Sequence, residues 1–313
     1  MRCGRLGGTN AGIPGGTRVA DRPAHCLKKS LVVNPQILPD HTEAVSMAAK
    51  LGVLIIHGVG SPCEKYADPM MEALKRKIRD SGADPGQICW QPVDWDKVLK
   101  DREDKVCDRL KQHSIWLKLR RLVTSHIGDV TAYRQVPHSS GTYDKIHGVV
   151  REAISKLKTE LGNDDKPIIV MAHSMGSVIM SNYIYDRQKK YQPEKYGETK
   201  IEQMDTLAGI ITFGSPIPLF ALACDPIIAV TFPPKALPEY LRGKAAWLNF
   251  WCWADVLAWP LREFLGESYR ASVTKDIKIR VGWTPLCHRS YWTNDEFTAA
   301  VAKHISEILR ACP

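Results

Sequence analysis

The chain has 313 residues, of which 44% are hydrophobic and 25% are charged, a composition typical of a soluble globular protein and able to bury one large core. Its formal net charge is +9 at pH 7, but basic residues mostly alternate with acidic ones, as in the segment KDREDKVCDRLK. Such alternation is typical of a solvated helix face, so the charge does not predict a nucleic-acid partner.

The cysteines and the apolar stretches bear on the cellular compartment. Nine cysteines are scattered along the chain without a C-x-x-C pair, which indicates free thiols in a reducing compartment. The basic N-terminal segment MRCGRLGG is not followed by the apolar stretch of a secretory signal. The later apolar stretches, residues 217–232 and 245–261, are interrupted by Asp225 and Asp255 and fall short of a membrane span. We therefore expect a cytoplasmic protein.

Residues 1–46 contain many Gly, Pro and Arg residues and show no sustained hydrophobic period, so we expect a disordered or loosely attached arm. The first predicted strand follows almost directly after Met47, in the segment SMAAKLGVLIIHG. We therefore predict a main domain over residues 47–313, and we hypothesise that Met47 lies at or near the functional start.

Within that domain, buried strands alternate with amphipathic helices, which predicts an α/β fold with a doubly wound, mostly parallel sheet. Two stretches break the alternation: residues 94–140 are charged and helical, and residues 217–245 are apolar and rich in proline. We interpret both as cap or lid insertions. The predicted strands cover residues 53–56, 87–93, 168–171, 207–213, 247–251 and 277–281, and the main predicted helices cover residues 68–82, 141–161 and 294–309.

The segment KPIIVMAHSMGSVIM, residues 166–180, predicts a buried strand, a tight corner at Ser174 and a helix. Ala172 and Gly176 provide the small side chains that such a corner needs two positions before and after the serine, where the two backbones pass closely. We expect the hydroxyl of Ser174 to lie at a solvent-reachable corner that faces the helix N-terminus. A plain strand-to-helix turn without function is the alternative.

The segment A-H-S-M-G around Ser174 resembles the nucleophile elbow of the α/β-hydrolases, G-x-S-x-G, with Ala172 in place of the first glycine, a variant also used by lipase-like members. The loop H-G-V-G that begins at His57 resembles the family's oxyanion loop. The resemblance implies two oxyanion-hole N–H donors, from Val59 and from Met175.

The resemblance also implies that an acid and then a histidine follow the serine, each beyond a late strand. Asp255 lies four residues beyond residue 251, in W-A-D-V-L-A-W-P, and His288 lies beyond residue 281, in CHRSYW. We expect Asp255 and His288 to complete a triad with Ser174. Asp225 remains an alternative acid, although it stands twelve residues beyond residue 213, the end of the strand before it.

Seven other histidines compete with His288 for the role of base, and four of them simply precede the serine in the sequence: His113, His126, His138 and His147. His57 starts the oxyanion loop and is expected to shape it. His173 adjoins Ser174 but is expected to point elsewhere, and His304 lies within the last helix.

The resemblance implies a lipase- or esterase-like serine hydrolase that cleaves a carboxylic ester through an acyl-enzyme on Ser174. The expected substrate is a small-molecule or lipid ester, and no metal or organic cofactor is expected, since the sequence contains no zinc-ligand spacing. One alternative is a non-catalytic α/β-hydrolase-fold module for binding or scaffolding. Another is a peripheral membrane protein that uses its basic insertion.

Overall fold

The computed structural model describes residues 49–59, 65–98, 141–189, 197–222, 224 and 226–313, without the side chains of residues 285 and 286. The predicted arm of residues 1–46, Met47, Asp225 and residues 99–140 of the first predicted insertion lie outside the described residues. The predictions for these residues stay predictions.

Six strands of the described residues form one sheet in the order β2-β1-β3-β4-β5-β6, and all neighbouring strands are parallel. The central strands β1, β3 and β4 are buried along their whole length, as expected for strands that are covered on both faces. The predicted α/β fold with a parallel sheet is confirmed. The strands are β1 Leu51–Ile56, β2 Ile88–Val93, β3 Ile168–His173, β4 Leu207–Phe213, β5 Ala246–Trp251 and β6 Lys275–Lys278.

Helices cover both faces of the sheet. Successive side chains of β1 alternate between two cores: Leu54 and Ile56 lie in one, and Val53 and Ile55 lie in the other. Helices α2 and α3 contribute to the first core, and α1 and α8 to the second. The described helices are α1 Asp68–Asp80, α2 Thr142–Leu161, α3 Met175–Gln188, α4 Ile217–Ala221, α5 Glu239–Arg242, α6 Leu261–Phe264, α7 Glu267–Ser272 and α8 Asp295–Ala311, with 3-10 turns at Pro85–Gln87 and Pro285–Thr293.

The long helices lie where the sequence predicts them, within two residues at each end. Helix α8 begins after Asn294, whose side-chain oxygen accepts a hydrogen bond from the N–H of Phe297 at 2.8 Å. This is an N-cap, which satisfies one of the N–H groups that the first helical turn leaves unpaired. Among the described residues, no helix is both long and apolar enough to cross a membrane.

Strand β6 departs most from its predicted bounds. Strand β6 covers Lys275–Lys278 rather than residues 277–281, because its only neighbour, β5, ends at Trp251, which pairs with Lys278. In the described part of the predicted insertion at residues 217–245, two short helices, α4 and α5, lie among irregular backbone, as its proline content suggests.

The carboxyl ends of five strands meet at one edge of the sheet and place chemically active residues there. His57 follows β1, Asp94 follows β2, Ser174 follows β3, Asp255 follows β5 and His288 follows β6. Clefts at this edge are the usual ligand sites of parallel α/β sheets.

Candidate active site

Ser174 occupies a strained turn between β3 and α3, with φ 50° and ψ −127°. Positive φ is uncommon for a residue with a side chain and persists only where the surrounding structure holds it. A serine in such a strand-to-helix turn matches the geometry of a nucleophile elbow. Ser174 is only 3% exposed, so the turn is more buried than the sequence suggests.

The loop after β1 passes extremely close to this turn. A Cβ atom on Gly58 would lie 2.5 Å from the Cβ of Ser174, and a Cβ on Gly176 would lie 2.6 Å from the carbonyl oxygen of His57. Real Cβ atoms essentially never approach other atoms so closely. Glycine is therefore needed on both sides of the contact, and the sequence correctly predicts a small residue at position 176.

Three predicted residues form a continuous hydrogen-bonded chain. The Oγ of Ser174 lies 2.7 Å from the Nε2 of His288, and the Nδ1 of His288 lies 2.8 Å from the Oδ2 of Asp255. Because a carboxylate only accepts, Nδ1 carries the proton and Nε2 is left to accept from the serine hydroxyl. This is the tautomer that a general base for Ser174 needs.

The carboxylate of Asp255 is held by its own loop. It is 2% exposed, and its Oδ1 accepts a hydrogen bond from the N–H of Leu257 at 3.1 Å. The other oxygen, Oδ2, faces His288. Each oxygen of the carboxylate thus has a partner, which fixes its orientation toward the imidazole. The alternative acid, Asp225, lies outside the described residues.

His173 does not point away from the site, as the sequence suggests, but holds His288. Its Nε2–H donates to the main-chain oxygen of His288 at 2.9 Å, and the two ring centroids are 4.8 Å apart. Burial, together with the neighbouring His288, holds the pKa of His173 well below its ordinary value, so the ring is neutral near pH 7. Adjacency to Ser174 is the only signal for this residue in the sequence.

Two serines that sequence reasoning missed brace the turn. The Ser177 hydroxyl donates to the main-chain oxygen of Ser174 at 2.6 Å. The hydroxyl of Ser215 lies 2.8 Å from that of Ser177, and since Ser177 has already used its proton, Ser215 is the donor. Ser215 lies two residues beyond the end of β4, so the segment after β4 supports the turn after β3.

The predicted oxyanion donors lie on the two segments that border Ser174. Met175 is the first residue of α3, where N–H groups have no partner within the helix. Val59 directly follows Gly58, which packs against Ser174. The oxyanion roles of Val59 and Met175 stay predictions.

His57 shapes the loop after β1, as the sequence suggests. Its Nδ1 lies 2.6 Å from the carbonyl oxygen of Gly58. The ring stacks on Trp95, with centroids 5.6 Å apart, and meets the edge of Tyr66 at 4.5 Å. Burial lowers the pKa of His57 below its ordinary value. A further competitor, His304, is a buried residue of α8.

No protein-family model and no curated protein matches the sequence. Seven chains of solved structures are similar to this chain, including the following two. One is a candidate hydrolase of the alpha/beta superfamily from Xanthomonas campestris pv. campestris, with 14% identity over 83% of this chain and 98% of that chain and a TM-score of 0.38. The other is the esterase domain of a Rhodothermus marinus protein, with 11% identity over 86% and 89% of the two chains and a TM-score of 0.37. Such low identities and TM-scores carry no conclusion about the family or the activity of this chain.

Proposed function

We propose that this protein is a serine hydrolase that cleaves carboxylic esters through an acyl-enzyme on Ser174. The observation that carries the proposal is the chain of two short hydrogen bonds that joins Ser174, His288 and Asp255. A serine hydroxyl is a weak nucleophile near neutral pH and needs an oriented base. Ser174 has such a base at 2.7 Å.

In the first half of the reaction, the Oγ of Ser174 attacks the ester carbonyl carbon while Nε2 of His288 takes the hydroxyl proton. Asp255 accepts the Nδ1–H bond and stabilises the imidazolium that forms. The negative charge on the carbonyl oxygen is received by the N–H groups of Val59 and Met175. When the tetrahedral intermediate collapses, the C–O bond to the alcohol breaks, and His288 returns its proton to the leaving alkoxide.

In the second half, water replaces the alcohol. His288 removes a proton from the water, and the resulting hydroxide attacks the acyl carbon. Collapse breaks the bond between the acyl carbon and the Oγ of Ser174, which takes the proton back from His288, and releases the carboxylic acid. The base must keep its place through both halves. His288 is held from two sides for this, at Nδ1 by Asp255 and at its carbonyl oxygen by His173.

Exposed apolar side chains next to the site favour an ester with an apolar acyl group, from a small molecule or a lipid. Trp253 is 58% exposed and Val256 is 61% exposed, and both lie within two residues of Asp255. Leu219 and Leu222, in and just after α4, are exposed too. An ester is favoured over an amide because an alkoxide leaves more readily than an amine.

The test is hydrolysis of p-nitrophenyl esters of increasing acyl length by the wild type and by Ser174→Ala, with Ser155→Ala on helix α2 as the matched control. The proposal expects turnover by the wild type and the control, and a loss of more than about a thousandfold in Ser174→Ala. A folded wild type that hydrolyses none of these esters, or equal turnover by Ser174→Ala, would contradict it. The first result would favour a non-catalytic binding module.

A further inference from the structure

The side chain of His57 is fully buried, and its two ring nitrogens have different surroundings. Nδ1 lies 2.6 Å from the carbonyl oxygen of Gly58, and since a carbonyl oxygen only accepts, Nδ1 carries a proton. In the neutral imidazole, Nε2 therefore carries a lone pair. Within the described residues, this buried Nε2 has no hydrogen-bond partner.

Two carboxylates face that lone pair. The Nε2 of His57 lies 3.7 Å from the Oδ1 of Asp94 and 3.9 Å from the Oδ1 of Asp96. Both distances are too long for hydrogen bonds. A lone pair that faces two anionic oxygens is repelled unless a cation lies between them. A proton on Nε2 would provide one, but burial disfavours a charged imidazolium.

The spacing suits a metal ion. The three ligand atoms lie within 4.8 Å of one another. Tetrahedral ligands at zinc-like bond lengths of about 2.0–2.2 Å lie about 3.3–3.6 Å apart. The two distances from His57, 3.7 and 3.9 Å, exceed this range by a few tenths of an ångström, and the two carboxylate oxygens, which lie within 4.8 Å of each other, must approach by up to about 1.2 Å to reach it. One imidazole nitrogen with two carboxylate oxygens suits Zn²⁺ better than Mg²⁺ or Ca²⁺, which prefer oxygen ligands alone.

The surroundings resemble the support that metal-binding histidines usually have. Such a histidine donates its second N–H to a carbonyl or a carboxylate, as Nδ1 of His57 does to Gly58. Trp95 stacks on the ring and donates its Nε1–H to the carbonyl oxygen of His57 at 2.8 Å. Lys97 holds the other oxygen of Asp94, Oδ2, at 2.6 Å, which leaves Oδ1 directed toward His57.

Access to the site is from the carboxylate side. The side chains of Asp94 and Asp96 are 27% and 20% exposed, whereas that of His57 is 0% exposed. An ion could therefore enter beside the carboxylates and keep a water as its fourth ligand, as in open zinc sites.

We propose that His57, Asp94 and Asp96 bind a divalent transition-metal ion of the Zn²⁺ class. The ion would tie the loop after β1 to the segment after β2 and fix the backbone of Gly58, which packs against Ser174. The proposal does not rest on the hydrolase activity. It departs from the sequence-based expectation of no metal, because the histidine and the aspartates lie on different strand ends and form no short spacing.

The experiment titrates Zn²⁺ into the metal-stripped full chain by calorimetry, with thermal unfolding and the visible spectrum of a Co²⁺ complex as further readouts. Nine cysteines offer competing thiolates, so the site is defined by comparison with Asp96→Asn and Asp94→Asn. Asp165→Asn is the matched control, because that aspartate also pairs with a lysine, Lys200, but precedes β3 at the opposite edge of the sheet. All variants are first compared by circular dichroism.

The expected result is one Zn²⁺ site per chain that raises the melting temperature in the wild type and in Asp165→Asn. In Asp94→Asn and Asp96→Asn, Kd for this site should rise at least about tenfold. Mg²⁺ and Ca²⁺ should leave the melting temperature unchanged. No saturable binding by the wild type up to about 1 mM Zn²⁺, or equal binding by the wild type and both folded aspartate variants, would overturn the proposal.

Discussion

The Nε2–H of His173 donates a hydrogen bond to the main-chain oxygen of His288 across 2.9 Å. The residue that precedes Ser174 in the sequence therefore holds the histidine that contacts Ser174 in space. Since His173 ends β3 and His288 follows β6, this bond joins two segments that are distant in the sheet order. A glycine after β4, Gly214, leaves room for both rings, because a Cβ there would lie 3.1 Å from His288 and 3.2 Å from His173.

Replacing His173 should impair the position of His288 rather than remove a reacting group. We expect His173→Leu to lower kcat by about ten- to a hundredfold with a smaller change in KM, because the interaction acts on the transition state through the base. His173→Gln keeps an N–H donor and should recover part of the loss. Both variants are assayed on the best p-nitrophenyl ester. Equal activity would show that the hydrogen bond to His288 does not matter and that His173 contributes only by packing.

The identity of the acid is tested by paired aspartate variants. Asparagine keeps the shape of the side chain but favours the wrong tautomer of His288, so Asp255→Asn should lose about 10³- to 10⁴-fold in kcat. Asp225→Asn should lose less than about tenfold. The comparison requires equal melting temperatures. The reverse ranking would move the acid role to Asp225.

The contact between Gly58 and Ser174 is tested by adding one methyl group. Gly58→Ala would place a Cβ 2.5 Å from that of Ser174, so the loop that carries Val59 must shift. We expect kcat to fall by about a hundredfold or more, as when one oxyanion donor is lost. Gly243→Ala is the matched control, because a Cβ there would meet no atom within 4 Å. Wild-type kcat in a folded Gly58→Ala would contradict the role of this loop.

His304 links stability to pH. It is a buried residue of α8, and burial lowers its pKa below the ordinary value. The unfolded chain then binds more protons than the folded chain below about pH 6.5, so this residue's contribution to stability is present above that pH and is lost as the pH falls.

The corresponding measurement is urea unfolding of the wild type and of His304→Leu at two pH values. Between about pH 7.5 and about pH 5.5, the wild type should lose up to about 1.4 kcal/mol more of its free energy of unfolding than the variant does. Each protein is compared with itself at the two pH values, so a difference in stability between the wild type and the variant that does not depend on pH cancels. Parallel losses in both proteins would show that His304 does not titrate in this way.

The sequence predicts the elements around Ser174 well because each carries a local signal. The apolar run of β3, the small residues Ala172 and Gly176 and the late strand ends before Asp255 and His288 can all be recognised from neighbouring residues. The edge strand β6 is less predictable, because its bounds depend on where β5 ends and not on its own apolar residues.

Contacts between distant segments account for what the sequence misses. His173 reaches the main chain of His288, and Ser215 reaches Ser177, each through a bond that only the folded sheet creates. The approach of Asp94 to His57 likewise depends on the pairing of β1 with β2. None of these contacts has a short spacing that a motif could reveal.

The most direct test of Ser174 as the nucleophile is labelling with a fluorophosphonate, which forms a covalent adduct with an activated serine. We expect the folded wild type to be labelled and peptide mapping by mass spectrometry to locate the adduct on Ser174. Ser174→Ala should not be labelled, whereas Ser155→Ala should be. An unlabelled wild type of native circular dichroism and melting behaviour, or an adduct on another residue, would contradict the assignment of Ser174 as the nucleophile.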